Sequence, residues 1–169
     1  MMRWAVLSCN GPVAVRYPRG GNGKYVDSAW RSSLNDGIFC HRKGDDVTLV
    51  TYGTLINNVM DAADILSTAG IEATVIRLLS VSQISVDQII SQLSENKTVV
   101  IIEETCTGSG IREELAWQIY KECKNCKVDG IDLGSKYISH GSIDELYQLC
   151  GLDKNSIASF VQEALKVEN

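Results

Sequence analysis

Histidine, proline and any surplus of positive charge are what this sequence has least of. Its 169 residues include two histidines, His41 and His140, and two prolines, Pro12 and Pro18. The histidines lie far apart with no ligand-like spacing, and the lone CxxC pair Cys123 and Cys126 has no second ligand pair to complete a zinc site. Metal binding is therefore not expected. Lysine and arginine number 16 against 21 acidic residues, giving a net charge of -5, and they are scattered among the acids. That pattern leaves neither a nucleic-acid footprint nor a polybasic membrane patch. No apolar run approaches the length of a transmembrane helix, and the opening MMRWAVLSCNG lacks the apolar segment and cleavage pattern of a signal peptide. A cytoplasmic protein is expected. There are no internal repeats and no low-complexity segments.

What is present is an ordinary globular balance, 44% hydrophobic and 22% charged, in a length suited to one domain with a proper core. The six cysteines are dispersed in a chain that needs no staples, so reduced thiols are expected. The CxxC pair falls between a helix and a strand rather than at a helix N-terminus, which argues against thioredoxin-type chemistry.

The chain is organised around residues 98–115, TVVIIEETCTGSGIREEL. Four aliphatics at 99–102 read as a strand buried on both faces, a glycine turn follows Glu103 and Glu104, and helical spacing resumes at Ile111. Earlier, a short helix over 1–8 precedes Asn10-Gly11-Pro12, and residues 13–17 alternate into a strand stopped by Pro18. Residues 20–35 read as a surface loop, and 37–41 as an edge strand. The spacing predicts a strand at 47–52, a helix capped by Thr54, and a strand at 71–79. A shorter helix follows, opened by a capping box at Ser85 and Gln88. The last third holds a helix to about Glu122 and a strand at 128–133. A second capping box at Ser142 and Glu145 opens the next helix, and a final helix starts at Asp153 or Ser156. Strands alternating with helices imply a three-layer α/β/α fold with a mostly parallel sheet of about five strands. One domain spans 1–169, with 1–12 a lead-in and 13–169 the core.

Candidate chemistry is sparse. In Arg16-Tyr17-Pro18-Arg19-Gly20, Arg19 sits beyond the strand end, where a guanidinium forks onto a phosphate or pairs with a surface carboxylate; both readings stay open. Glu103 and Glu104 are adjacent, point to opposite faces and do not jointly grip one atom; one of them bonds loop backbone. The turn at Gly108 and Gly110 offers helix N-terminal amides to an anion, but it is neither a Walker A loop nor a complete GxGxxG, and a packing turn is the safer reading. His140 lies before a helix start and reads as structural, Cys106 shares its loop with two carboxylates that disfavour a thiolate, and no triad is legible. The residues alone describe an α/β domain without a self-sufficient active site.

Four stretches taken together, VAVRYPRG at 13–20, DVTLVTYGTLINNVMDAADIL from 46, VVIIEETCTGSGIREEL from 99 and YISHGSIDELYQLCGLD at 137–153, resemble the C-terminal domain of 1-deoxy-D-xylulose-5-phosphate synthases. The block from 46 is shared with transketolases and with 2-oxo acid dehydrogenase β subunits; RYPRG and the HGSIDELY ending narrow the match. The resemblance implies a transketolase C-terminal-domain-like fold in a thiamine-diphosphate transferase. That enzyme condenses pyruvate with glyceraldehyde 3-phosphate, losing carbon dioxide, in the methylerythritol phosphate route to isoprenoids. It further implies that thiamine diphosphate and magnesium are bound by other domains and not by this chain. The implied partners are the cofactor-binding and pyrimidine-binding domains, within a homodimeric enzyme. No GDG followed by an Asn-bearing metal motif is found, so the expectation is an excised domain or a shortened gene that is inactive alone. Arg19, with Arg16 as second choice, matches the family arginine directed at the sugar-phosphate substrate. Glu103, Glu104, Gly108 and Gly110 match a loop assigned to domain packing. Trp4, Trp30 and Trp117 are candidates for the hidden surface. The rival readings are a stand-alone phosphometabolite-binding or regulatory module and the equivalent domain of a transketolase or 2-oxo acid dehydrogenase.

Overall fold

Three short aliphatic runs and two more polar edge segments pair into one sheet. The computed structural model describes residues 2–15, 21, 23–25, 37–93 and 97–166, and of residues 2–4 the backbone alone. After a first helix α1 (Met2–Leu7), the strands are β1 (Ile38–Arg42), β2 (Val47–Tyr52), β3 (Ala73–Leu78), β4 (Thr98–Ile102) and β5 (Lys127–Ile131). The helices are α2 (Ile56–Thr68), α3 (Val86–Ile90), α4 (Arg112–Glu122), α5 (Ile143–Cys150) and α6 (Lys154–Lys166). The strand order is β1-β3-β2-β4-β5, with β1 antiparallel to β3 and all other pairs parallel.

Both faces of the sheet are covered, which is why its inner strands are largely apolar, without alternation. Leu49, Val75 and Val100 face α2 and α6 in one cluster, with Val59, Leu66, Ile157 and Val161. Their chain neighbours Val50, Ile76 and Ile101 face α3 and α4 in a second, with Ile89, Leu115 and Ile119. That is a three-layer α/β/α fold. Thr51 is also buried, its hydroxyl satisfied by donating to the Ile102 carbonyl at 2.8 Å across the central pair.

Several local expectations are corrected. Residues 13–15 are irregular, and 16–20 lie outside the described residues. Thr54 does not cap α2: a 3-10 turn at Gly53–Leu55 precedes the helix, and no side chain caps Leu55. Ser85 stands at the N-cap of α3 without a side-chain bond. The box at Ser142 and Glu145 is complete in both directions, and Gly151 closes α5 in the left-handed region at φ 73°. Asp153 accepts the Asn155 amide at 3.0 Å and so opens α6. The cysteines are the larger departure, because Cys123 and Cys126 are joined by a disulfide and only Cys9, Cys40, Cys106 and Cys150 are free. The two intervening residues turn from a helix end into a strand start and bring the two Cα atoms to 5.4 Å, which sequence spacing alone does not reveal.

Candidate functional site

The connection β2-α2-β3 runs to one side of β2, and the next, through α3, crosses to β4 on the other side. The order therefore reverses between β2 and β4, and the carboxyl ends of those two strands form the crevice where open α/β sheets bind ligands. A cleft of about 840 Å³ lies there. Thr54, Asn57 and Asn58 line it from the turn after β2 and the start of α2, Glu104 from the end of β4, and Ile143, Asp144 and Tyr147 from α5. Its remaining rim is Gly21, Gly23 and Lys24.

The segment 23–25 is tied down by Asn57, with the Arg77 guanidinium donating to the Tyr25 carbonyl at 3.3 Å. Asn57 Oδ1 accepts the backbone amides of Lys24 at 2.8 Å and Tyr25 at 3.4 Å, and its Nδ2 donates to the Thr54 carbonyl at 2.8 Å. Gly23 lies against that amide at φ 75°, where a β-carbon would overlap Asn57. Lys24 adds an exposed ion pair with Asp61 at 2.8 Å, a contact worth little in water. The chain is thereby held at the cleft from Gly23, three residues after the RYPRG motif. Arg16 and Arg19 themselves lie outside the described residues, as does Trp30 and the side chain of Trp4.

The two glutamates have separate surroundings. Glu103 is 1% exposed and accepts the amide of Ile111 at 2.9 Å, that of Arg112 at 3.4 Å and the Tyr52 hydroxyl at 3.2 Å. Its carboxylate thus occupies the N-terminal end of α4, the place the glycine turn offers to an anion, and the helix dipole supplies its counter-charge. None of the ion pairs among the described residues includes it. Burial and the Glu103 charge push the Tyr52 phenol above its usual pKa. Gly110 is required by contact, since a β-carbon there would strike both Glu103 oxygens and the Thr105 hydroxyl. Because that carboxylate is pinned, Gly110→Ala is expected to destabilise the chain by about 2 kcal/mol, read as a lower urea midpoint.

Glu104 is exposed and accepts the Tyr147 hydroxyl at 2.9 Å, linking β4 to α5 across the cleft. Burial, then the Glu104 charge, push the Tyr147 phenol up to about 12 from 10.0. The folded state therefore keeps a proton that the unfolded state loses between those values. Stability contributed by Tyr147 is fully present below pH 10 and lost as pH rises toward 12. Across that window wild-type thermal stability is expected to fall more steeply than that of Tyr147→Phe, and equal slopes would contradict the linkage.

Beyond β5, Asp132 accepts the Gly134 amide at 2.8 Å, the Thr107 hydroxyl at 2.9 Å and the Arg112 guanidinium at 2.7 Å. Burial pushes its carboxyl up, but those donors together hold it below the usual range. The loops after β4 and β5 are joined further by the Thr107 amide on the Gly134 carbonyl at 3.2 Å. Asn57, Tyr147 and Asp132 carry no sequence signal of these roles, whereas Glu103 followed by TGSG does. Among the described residues no group of three histidine, cysteine or acidic side chains gathers as a metal would need. No helix among them is long and apolar enough to cross a membrane.

A family model described as "Transketolase, C-terminal domain" matches residues 39–157. The chain belongs to the transketolase C-terminal domain family. Its curated relatives include the 1-deoxy-D-xylulose-5-phosphate synthase of Heliobacterium modesticaldum, 32% identical over 96% of this chain and 25% of that protein. The enzyme of the same name from Trichormus variabilis is 34% identical over 91% of this chain and 25% of its own length. This family member thus spans about a quarter of the relatives it matches. Among solved structures, one described as a split gene transketolase, inactive beta4 tetramer, superposes with a TM-score of 0.67 at 23% identity, covering 78% of this chain and 42% of that one. A transketolase from Pichia stipitis gives 0.59 at 18% identity over 80% of this chain and 19% of that one. At those identities the two structures speak for the transketolase C-terminal fold alone.

Proposed function

We propose that this chain is the C-terminal part of a thiamine-diphosphate-dependent 1-deoxy-D-xylulose-5-phosphate synthase, contributing an interface and a substrate-phosphate arginine and inactive alone. The observation that carries the reading is identity of about a third with synthases of that name along nearly the whole chain. Arg19 takes the phosphate of glyceraldehyde 3-phosphate, with Arg16 second, and the fastening of residues 23–25 to Asn57 supports a place for that motif beside the cleft. Glu104 and Asp144 on the same cleft suit hydroxyl groups, for which a carboxylate is an acceptor.

The described lining offers no cradle for a diphosphate, and its two carboxylates fall short of the group of three that a metal would need. Its one described cation, Lys24, is paired with Asp61, and its acids, Glu104 and Asp144, would repel phosphates. No step through the cofactor is therefore assigned to these residues. Thiamine diphosphate and magnesium belong to the cofactor-binding and pyrimidine-binding domains of the proposed homodimeric, cytoplasmic enzyme. The exposed Trp117 suits contact with them.

A mixing assay tests the proposal. The chain alone, given pyruvate, glyceraldehyde 3-phosphate, thiamine diphosphate and magnesium, is expected to form no product. Combined with a separately expressed fragment carrying the other two domains, it is expected to support decarboxylation that depends on the aldehyde. Turnover by the chain alone, or silence in a mix whose components are folded, would reject the reading. Because the cleft is built within this chain, a stand-alone phosphometabolite-binding module, its phosphate held by Arg19 and its hydroxyl groups by the acids of the cleft, is the second reading. Millimolar sugar phosphate giving no calorimetric heat would count against it.

A further inference from the structure

The Cys123–Cys126 disulfide lies at the pole of the sheet opposite the strand-end cleft, where α4 ends and β5 begins. The Cys123 amide donates to the Ile119 carbonyl at 2.8 Å, finishing the helix, and the Cys126 amide donates to the Cys123 carbonyl at 3.0 Å, making the turn into the strand. The sulfurs differ in access. Cys126 is 7% exposed and belongs to the apolar cluster under α4, while Cys123 is half-buried at its margin.

As a staple the bond has little purpose. A disulfide constrains the unfolded chain more as the loop it closes grows, and here the cysteines are separated by three positions. A chain with two extensive apolar clusters has no need of so small a constraint. The surroundings favour exchange instead. Lys121 and Lys124 flank Cys123 along the chain, with Glu122 the one carboxylate between them, while the Lys127 ammonium is taken by the Ala164 carbonyl; cations beside a cysteine favour its thiolate. Cys126 also lines a groove of about 440 Å³ beside β5, which has β4 on one side and, among the described residues, no strand on the other. The groove's outer wall is the stacked pair Trp117 and Tyr120, ring centroids 6.0 Å apart, 60% and 49% exposed.

We propose that Cys123 and Cys126 are a reversible thiol–disulfide site, exchanging with a dithiol/disulfide couple, with Cys123 as the sulfur that is attacked. A thiolate of the dithiol attacks Cys123 Sγ; the protein S–S bond breaks, and Cys126 leaves as thiolate and takes up a proton. The second sulfur of the reagent then attacks its own partner in the mixed disulfide, and Cys123 departs and takes the second proton. One dithiol becomes a disulfide, and two electrons and two protons enter the protein. The oxidised reagent reverses the sequence. This is not thioredoxin-type catalysis, since the pair sits at a helix C-terminus; the site takes up two electrons and two protons.

The full chain is equilibrated across ratios of reduced to oxidised dithiothreitol, quenched in acid, unfolded, alkylated with a maleimide and weighed. The oxidised limit is expected to show four modified cysteines and the reduced limit six, through one reversible two-electron transition mapped to the peptides of Cys123 and Cys126. In the folded state, Cys126→Ser leaves Cys123 open to alkylation, whereas Cys123→Ser leaves Cys126 reacting roughly tenfold more slowly. Six modified cysteines at every ratio, or four that no ratio raises, would overturn the proposal without recourse to either variant. Equal alkylation rates in the two serine variants, both folded by circular dichroism, would overturn the assignment of Cys123 as the attacked sulfur.

Discussion

Replacing Glu103 with alanine is expected to destabilise the chain by about 3 kcal/mol, a fall in Tm of roughly 6–12 °C for a protein of this size. The carboxylate serves three donors at once, the amides of Ile111 and Arg112 and the hydroxyl of Tyr52. Alanine leaves all of them facing a space only 1% exposed at that residue, so water does not replace the lost acceptor. Unmade bonds of buried donors cost about 1–3 kcal/mol each, partly offset because a charge no longer has to be held out of water. Glu103→Gln keeps one oxygen acceptor and is expected to lose about 1–2 kcal/mol. Urea unfolding with an unchanged slope measures both. If alanine shifted stability by under about 0.5 kcal/mol, the carboxylate would be no more than a surface cap and the α4 anchor would be wrong.

The other large effect concerns Arg19. If the proposed synthase is reconstituted from this chain and the other two domains, Arg19→Ala is expected to raise its KM for glyceraldehyde 3-phosphate about 10–100-fold while kcat changes far less. Losing charge-assisted bonds worth about 1.5–3 kcal/mol to a phosphate remote from the reacting carbonyl removes binding common to ground and transition states. Glyceraldehyde without its phosphate is the control, since the wild type and the variant should use it equally poorly. Equal losses with both aldehydes would mean that Arg19 supports the loop and not the phosphate. The same comparison with Arg16→Ala decides which arginine of the motif reaches the ligand.

The sheet was readable in the sequence because both its faces are buried: runs such as 47–52 and 98–102 are aliphatic, broken only by threonine and a terminal tyrosine, and separated by helical spacing. Helix starts were read less well. Ser142 and Glu145 form the reciprocal box that their types suggest, while Ser85, with equally suitable neighbours, makes none. A cap depends on backbone direction at the helix entrance, and residue types do not encode that alone. The site divides the same way. Glu103 before a glycine turn carries its own signal, since a strand-end acid next to free helix amides has few other places to go. Asn57 and Tyr147 do not, because their partners lie 33 and 43 residues away and come near only once the layers are stacked. The cysteine pair failed for a further reason: the expectation followed compartment and chain size, whereas the bond follows from local proximity.

The central position of β2 also bears on the order in which the molecule assembles. β2 reaches β3 through a single short helical crossover, but its other neighbour, β4, arrives later in the chain, with Thr51 bonded to a carbonyl 51 residues on. Closing that longer loop costs conformational entropy before any contact repays it, so among the strand pairings that of β2 with β4 is expected to form last. The cleft at their carboxyl ends comes into being with that step. A molecule lodged there has nothing to hold in the transition state and so retards unfolding while leaving the refolding rate nearly unchanged.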